Sequence, residues 1–90
     1  MVEHDEGRQR FYSRLSEGEA YLSYEADGEG TLDLQHTVVP EPARGRGVGE
    51  SLVRAAFAHA REQGVRIVPT CPFVAAYLTE HPDERDLVAD

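Results

Sequence analysis

Three glycines, Gly45, Gly47 and Gly49, stand on alternate positions of the stretch Arg44-Gly45-Arg46-Gly47-Val48-Gly49. Glycine frees the backbone to take positive φ and removes the Cβ that would keep a ligand away from the amides. The stretch runs straight into a helical pattern, and the start of a helix presents unpaired N–H groups with a partial positive charge. Arg44 and Arg46 add planar, permanently charged donors. Together these features suit an anion, above all the phosphate or pyrophosphate of a cofactor. A Walker A loop is excluded because it needs a Lys and the chain contains none. A dinucleotide fingerprint needs G-x-G-x-x-G, whereas these glycines read G-x-G-x-G. An RNA-binding Arg-Gly repeat is normally disordered and basic, and this one leads into a well-patterned helix. The competing structural reading is a plain turn with arginines in solvent, since short glycine motifs match by chance.

Two further residues invite a chemical reading. Cys71 is the single cysteine and lies just before Pro72, where a second helix begins. A thiol at a helix N-terminus is an activated nucleophile, while a lone Cys is as often a small buried apolar residue. His36 is the base the sequence offers beside it, although a His on a strand more often serves packing and hydrogen bonding.

These residues must be positioned by the elements around them. Residues 2–39 read as antiparallel β structure. Gln9–Leu15 alternates Phe11, Ser13 and Leu15 against Tyr12 and Arg14, and Glu19–Ala26 alternates Ala20, Leu22, Tyr24 and Ala26 against the rest. Thr31–Val39 places Leu32, Leu34, His36 and Val38 on one face. Ser16-Glu17-Gly18-Glu19 and Asp27-Gly28-Glu29-Gly30 are the turns between them, the second with the Asp-Gly signature of a type I′ hairpin. Val2–Asp5 is a further edge strand. Pro40 and Pro42 end the strand, and from Val48 the period becomes helical through Leu52, Ala55, Ala56 and Ala60, widened by Val53 and Phe57. Gly64 stops the helix and Val65–Pro69 is a short apolar strand. Strand, helix and strand make a β-α-β crossover with a parallel pair. A second helix follows over Phe73–Glu80, stopped by His81-Pro82, and Leu87 and Val88 of the acidic tail Glu84–Asp90 dock on the sheet. The fold class is therefore α/β (α+β): one domain over residues 1–90, with a mainly antiparallel sheet, a β-α-β crossover and a second C-terminal helix.

Composition bounds the function. Apolar residues at 40% and charged residues at 29% describe an ordinary globular chain, and no run is long and apolar enough to cross a membrane. The N-terminus lacks the apolar segment of a signal peptide, so the expected setting is cytoplasmic. One cysteine and four scattered histidines show no metal-ligand spacing, and no metal is expected. The net charge of −8 disfavours nucleic acid and favours cationic partners such as amines or basic peptides.

The pattern Arg44-x-x-Gly47-x-Gly49, between Val38-Val39 and an amphipathic helix, resembles the acetyl-coenzyme A signature Q/R-x-x-G-x-G/A of the GNAT N-acetyltransferases. L-Q-H-T-V-V-P-E-P-A-R-G-R-G-V-G (34–49), T-C-P-F-V (70–74) and H-P-D-E-R-D-L-V (81–88) resemble a compact branch of that superfamily, over nearly the whole chain. The resemblance implies that the amides of Gly45, Arg46, Gly47, Val48 and Gly49, with Arg44, hold the pyrophosphate. It also implies that Thr37, Val38 and Val39 pair with the pantetheine arm as though it were an added strand. The strands at 31–39 and 65–69 would then splay, with Cys71 near the acetyl end. Tyr77 is similar to the helix tyrosine that protonates the leaving thiolate in many members. There the pattern is Y-x-x-x-G-F, and here His81-Pro82 replaces Gly-Phe. The N-terminal helices that shape the acceptor pocket in typical members are missing, because Asp27–Gly30 links two strands directly. The implied activity is transfer of acetyl from acetyl-coenzyme A to an amine of a small molecule or a basic protein segment, by a monomer or weak homodimer. Direct attack by the amine needs no cysteine nucleophile. The rival class is a non-catalytic coenzyme A-binding sensor or interaction module.

Overall fold

The computed structural model describes residues 1–89. Strands β1 (Glu3–Asp5), β2 (Arg10–Leu15), β3 (Gly18–Ala26) and β4 (Thr31–Val38) form an antiparallel meander. Strand β5 (Arg66–Val68) joins the far edge in parallel with β4, giving the order β1-β2-β3-β4-β5. Helix α1 (Val48–Gln63) is the crossover between β4 and β5, and α2 (Pro72–Glu80) follows β5. Short 3₁₀ turns lie at Glu41–Ala43 and Pro82–Leu87. This is the α/β arrangement that the periodicity predicts.

One core holds the layers together. Phe11, Ala20, Leu22, Tyr24, Leu32, Leu34 and Ile67 line one face of the sheet and meet Leu52, Val53, Ala56, Phe57 and Ala60 of α1. Val74, Tyr77 and Leu78 of α2 join the same cluster, so both helices cover one face. Phe57 is 1% exposed, and truncating such a residue to Ala costs about 3–5 kcal/mol. The helix limits follow from local chemistry. Gly64 at φ 68° donates its N–H to the carbonyls of Ala60 and Arg61, closing α1. Pro72 opens α2, one residue earlier than the sequence pattern indicates, because its missing N–H costs nothing at the first helical position.

Four local expectations are corrected. First, β3 pairs with β4 as Ser23↔His36 and then Tyr24↔Leu34, so Gln35 is an extra residue on β4. One extra residue reverses the alternation beyond it. Leu32 and Leu34 face the core, whereas His36 and Val38 are exposed on the other face and Thr37 takes the position opposite Leu22. Second, the Asp27–Gly30 loop is not a type I′ turn. Gly28 and Gly30 take positive φ but Asp27 does not. Its carboxylate instead accepts from the N–H groups of Glu29 (2.7 Å) and Thr31 (3.0 Å). Those two donors, in that order, hold the Asp27 carboxyl below its usual pKa. Third, β2 begins at Arg10, because Gln9 sits at φ 52°, and Ala26, expected to face inward, ends β3 exposed. Fourth, β5 is shorter than 65–69, keeping only Arg66–Val68. The tail docks as expected: Leu87 is buried, Val88 bridges Ile67, and Ala89 donates to the Ile67 carbonyl. Asp90 lies outside the described residues.

Candidate functional site

The turn between Arg44 and α1 is built around its amides. Gly45 and Gly47 take φ 84° and 79°, and Gly47 is the N-cap of α1 with no side-chain capping bond. Among the described residues, the N–H groups of Gly45, Arg46, Gly47, Val48, Gly49 and Glu50 have no acceptor; the ladder starts where Ser51 donates to the Gly47 carbonyl at 3.1 Å. A Cβ on Gly45 or Gly47 would meet nothing within 4 Å, so φ is what requires glycine at both positions. Gly49 has a different reason: its Cβ would stand 2.7 Å from Cζ of Phe73 on α2. The amides open onto a cleft of about 330 Å³ bordered by Val39, Arg44, Gly47, Gly49, Glu50 and Phe73 among others.

The two arginines part company. Arg44 lines the cleft, and its Nε donates to the Val39 carbonyl at 3.1 Å, which leaves the end of the guanidinium available. Arg46 points away. Its Nε donates to the Ala43 carbonyl at 3.4 Å and its Nη2 to Glu17 Oε2 at 2.8 Å. Glu17's own backbone N–H, and then Arg46, hold that carboxyl below its usual pKa. Of the two charges the motif offers, one serves the cleft and the other fastens the turn to the β2–β3 hairpin.

Beyond the cleft the sheet divides. Among the described residues, strand β5 meets β4 only at Thr31, Leu32 and Asp33. The Cys71 N–H then donates to the Leu34 carbonyl at 2.8 Å, and Thr70 donates its hydroxyl to Asp33. Past that point, among the described residues, no strand pairs with Gln35–Val38 on the side away from β3. The edge formed by Thr37, Val38 and Val39 is therefore free of a strand partner among the described residues, with the Val39 carbonyl accepting from Arg44. Thr37 Oγ1 and Cys71 Sγ are 3.4 Å apart where the gap closes. Cys71 is 3% exposed, a core residue and the N-cap of α2 without a side-chain capping bond.

Tyr77 is buried on α2, edge-on to Phe57 at 5.5 Å and stacked on His81 at 4.1 Å. It lines a smaller cavity with Glu50, Phe73, Ala76 and Glu80. Phe73 and Glu50 are common to this cavity and the main cleft, so Phe73 stands between Tyr77 and the glycine turn. The structure brings Thr37 against Cys71, and Val39, two residues on from Thr37, lines the cleft at the turn. It does not bring His36 to Cys71, because the Gln35 bulge puts the imidazole on the opposite face of the sheet. Sequence reasoning missed Phe73 as the cleft wall and Glu17 as the partner of Arg46. A positional signal existed for the first only: Phe73 follows Pro72 in the first turn of α2, close to the strand that ends the crossover.

A family described as GCN5-related N-acetyl-transferase matches residues 10–87. The chain is 41% identical over 83 residues to Protein NATD1 of Xenopus tropicalis, covering 90% of this chain and 76% of that protein. It is 40% identical over 83 residues to Protein NATD1 of Homo sapiens, with 90% and 74% covered. Its fold is similar to the NMR solution structure of a GCN5-like protein from Staphylococcus aureus, at TM-score 0.77 and 25% identity, over 99% of this chain and 87% of the other. No helix among the described residues is long and apolar enough to cross a membrane. The chain belongs to the GCN5-related N-acetyltransferase family and carries a compact form of its fold.

Proposed function

We propose that this chain transfers an acetyl group from acetyl-coenzyme A to an amine, on a small molecule or a basic protein segment. The observation that carries the reading is the run of N–H groups without acceptors from Gly45 to Glu50, beside a cleft that Val39, Arg44 and Phe73 also line. A pyrophosphate needs several convergent donors and no side chain in front of them, and open space stands before Gly45 and Gly47. A pantetheine arm carries amides, and the free edge at Thr37, Val38 and Val39 can pair with them as a strand would. Arg44 adds a charge at the rim.

Acetyl-coenzyme A supplies the electrophilic thioester carbonyl. The chain's own residues would then divide the work between the two faces of the sheet. The face without helices is where an amine can reach the gap, and the exposed His36 imidazole is the proton acceptor available there. The Tyr77 hydroxyl is the donor on the helical side. Cys71, buried against Thr37, fits a wall that shapes the gap better than it fits a free nucleophile. The net charge of −8 supports a cationic acceptor.

Titration with acetyl-coenzyme A, coenzyme A and ATP, read by thermal shift, tests binding. Saturating acetyl-coenzyme A or coenzyme A should raise Tm by several degrees, as a ligand at 100 times its Kd adds about 2.7 kcal/mol. Gly47→Glu, which sets a carboxylate in the cradle at a positive φ, should abolish the shift. Absence of any shift at millimolar acetyl-coenzyme A would sink the reading. Thiol release across a panel of amines tests transfer; tight binding with no release leaves the sensor module as the function.

A further inference from the structure

The four histidines look scattered in sequence, but the fold gathers two of them. His4 on β1 and His59 on α1 stand with ring centroids 4.5 Å apart and edge to face. Glu6, in the turn after β1, completes a group whose ligating atoms all lie within 4.8 Å of one another. We propose that His4, Glu6 and His59 form a binding site for a divalent transition-metal ion of the zinc class, which clasps the edge strand β1 to helix α1.

The donor set fits that class. Two imidazoles and a carboxylate are a common three-ligand set for zinc, with a fourth position left to water. Ligand atoms at about 2.0–2.2 Å from one ion stand roughly 3.4 Å from each other, so modest side-chain rotation closes the group. Magnesium and calcium prefer oxygen donors throughout and do not suit two imidazoles.

The surroundings hold the ligands in place. The His4 ring is stacked on Phe11 at 4.2 Å and 11°, and its Nε2 lies 2.6 Å from the Tyr24 hydroxyl. A metal on Nδ1 of His4 requires the proton on Nε2, and the Tyr24 oxygen is placed to accept it. Such an outer partner fixes the orientation of a ligating imidazole. A cavity of about 320 Å³ beside His4 and His59, bordered also by Val2 and Glu62, gives an ion and its water a way in. The need is physical as well. Strand β1 is three residues long and, among the described residues, pairs only with β2, so an ion shared with α1 would tie down an otherwise weakly held edge.

The test is calorimetric titration of untagged, chelator-stripped protein with ZnCl₂, repeated with CoCl₂ for its visible absorption and with MgCl₂. One Zn²⁺ should bind per chain, Co²⁺ should give the intense bands of a low-coordinate site, and Mg²⁺ should not compete. His59→Gln should weaken zinc at least tenfold and Glu6→Gln several-fold, while His36→Gln leaves affinity unchanged. Zinc should also raise Tm in the wild type and not in His59→Gln. Zinc binding that survives His59→Gln, or no binding at micromolar zinc, overturns the site. If His59→Gln does not fold in chelator, Glu6→Gln, an exposed turn residue, decides the matter: unchanged affinity there overturns it too.

Discussion

The two helices begin facing each other across Phe73, and their starts are built to opposite ends. At α1 three glycines, two of them at positive φ, leave the N–H groups of Gly45–Glu50 without acceptors beside a cleft. At α2 the corresponding donors are mostly removed: Pro72 has none, the Cys71 N–H goes to the Leu34 carbonyl, and among the described residues only Phe73 and Val74 keep theirs free. The first start is exposed from Arg44 to Gly47, whereas the second is anchored in the core by Cys71, 3% exposed, and Val74, 0% exposed, with Pro72 and Phe73 at the surface between them. Both are helix N-termini with the same dipole. The difference teaches that the dipole alone does not distinguish the two starts; the proposed pyrophosphate site rests on open amides with no Cβ in front of them, which only the first start has.

The most direct way to break that comparison is at the charges flanking the first start. Arg44→Ala should weaken acetyl-coenzyme A by roughly tenfold or more, since a charge-assisted hydrogen bond contributes about 1.5–3 kcal/mol. Arg46→Ala, whose guanidinium is engaged by Glu17, should change affinity little. Calorimetry on the two variants separates them, and equal losses would show that the motif acts through net charge instead of through placement.

Next in size is the contact between the two starts. In Gly49→Ala the new Cβ must displace the Phe73 ring, which is 39% exposed and free to swing. The helix gains up to about 1 kcal/mol from replacing Gly with Ala, which offsets the cost of displacing the ring, so Tm should move little while affinity falls several-fold. Adding Phe73→Ala should recover part of that affinity, the signature of two residues that act through one contact. A Gly49→Ala variant with wild-type affinity would mean that the ring's place does not shape the cleft.

These contrasts also show what could be read from the chain. The glycine turn, the crossover helix and its Gly64 stop are local features, each announced by neighbouring residues. The Gln35 bulge is not, because it is set by the register between β3 and β4 and carries no Gly or Pro to mark it. That single residue moved His36 and Val38 to the open face and brought Thr37 to Cys71. The Arg46–Glu17 pair and the meeting of His4 with His59 are long-range in the same sense, since only the assembled layers bring them together. What stays hidden in a sequence is pairing across elements, and at this site the division of roles between the arginines depends on it.

Cys71 sharpens the comparison from the packed side. If the second start is structural, Cys71→Ala should cost about 1 kcal/mol from lost packing and leave acetyl transfer within a few-fold of wild type. The chain has no Lys, so intact mass after incubation with acetyl-coenzyme A alone is not confused by stray lysine acetylation. A stable acetyl adduct lost in Cys71→Ala, together with lost turnover, would make the thiol a nucleophile and assign chemistry to the second start.

The smallest effect is expected at the opposite end of α1, which serves as the control. Arg61 bonds Glu84 and Asp86 there, joining the last turn of the helix to the C-terminal 3₁₀ turn. Its guanidinium is the leading cause that holds the Asp86 carboxyl below the ordinary 3.8. A carboxyl whose folded pKa is depressed contributes stability above its unfolded pKa, and that contribution disappears as pH falls through the folded value. Arg61→Gln should therefore lower Tm slightly at neutral pH, and the gap to wild type should close below about pH 4 as Asp86 protonates in both states. The pair is solvent-exposed, so salt should shrink the gap as well. The acetyl-coenzyme A shift should be the same in variant and wild type at pH 7. A variant that lost binding along with this distant clasp would mean that α1 transmits strain along its length, and the open start would then depend on more than its own glycines.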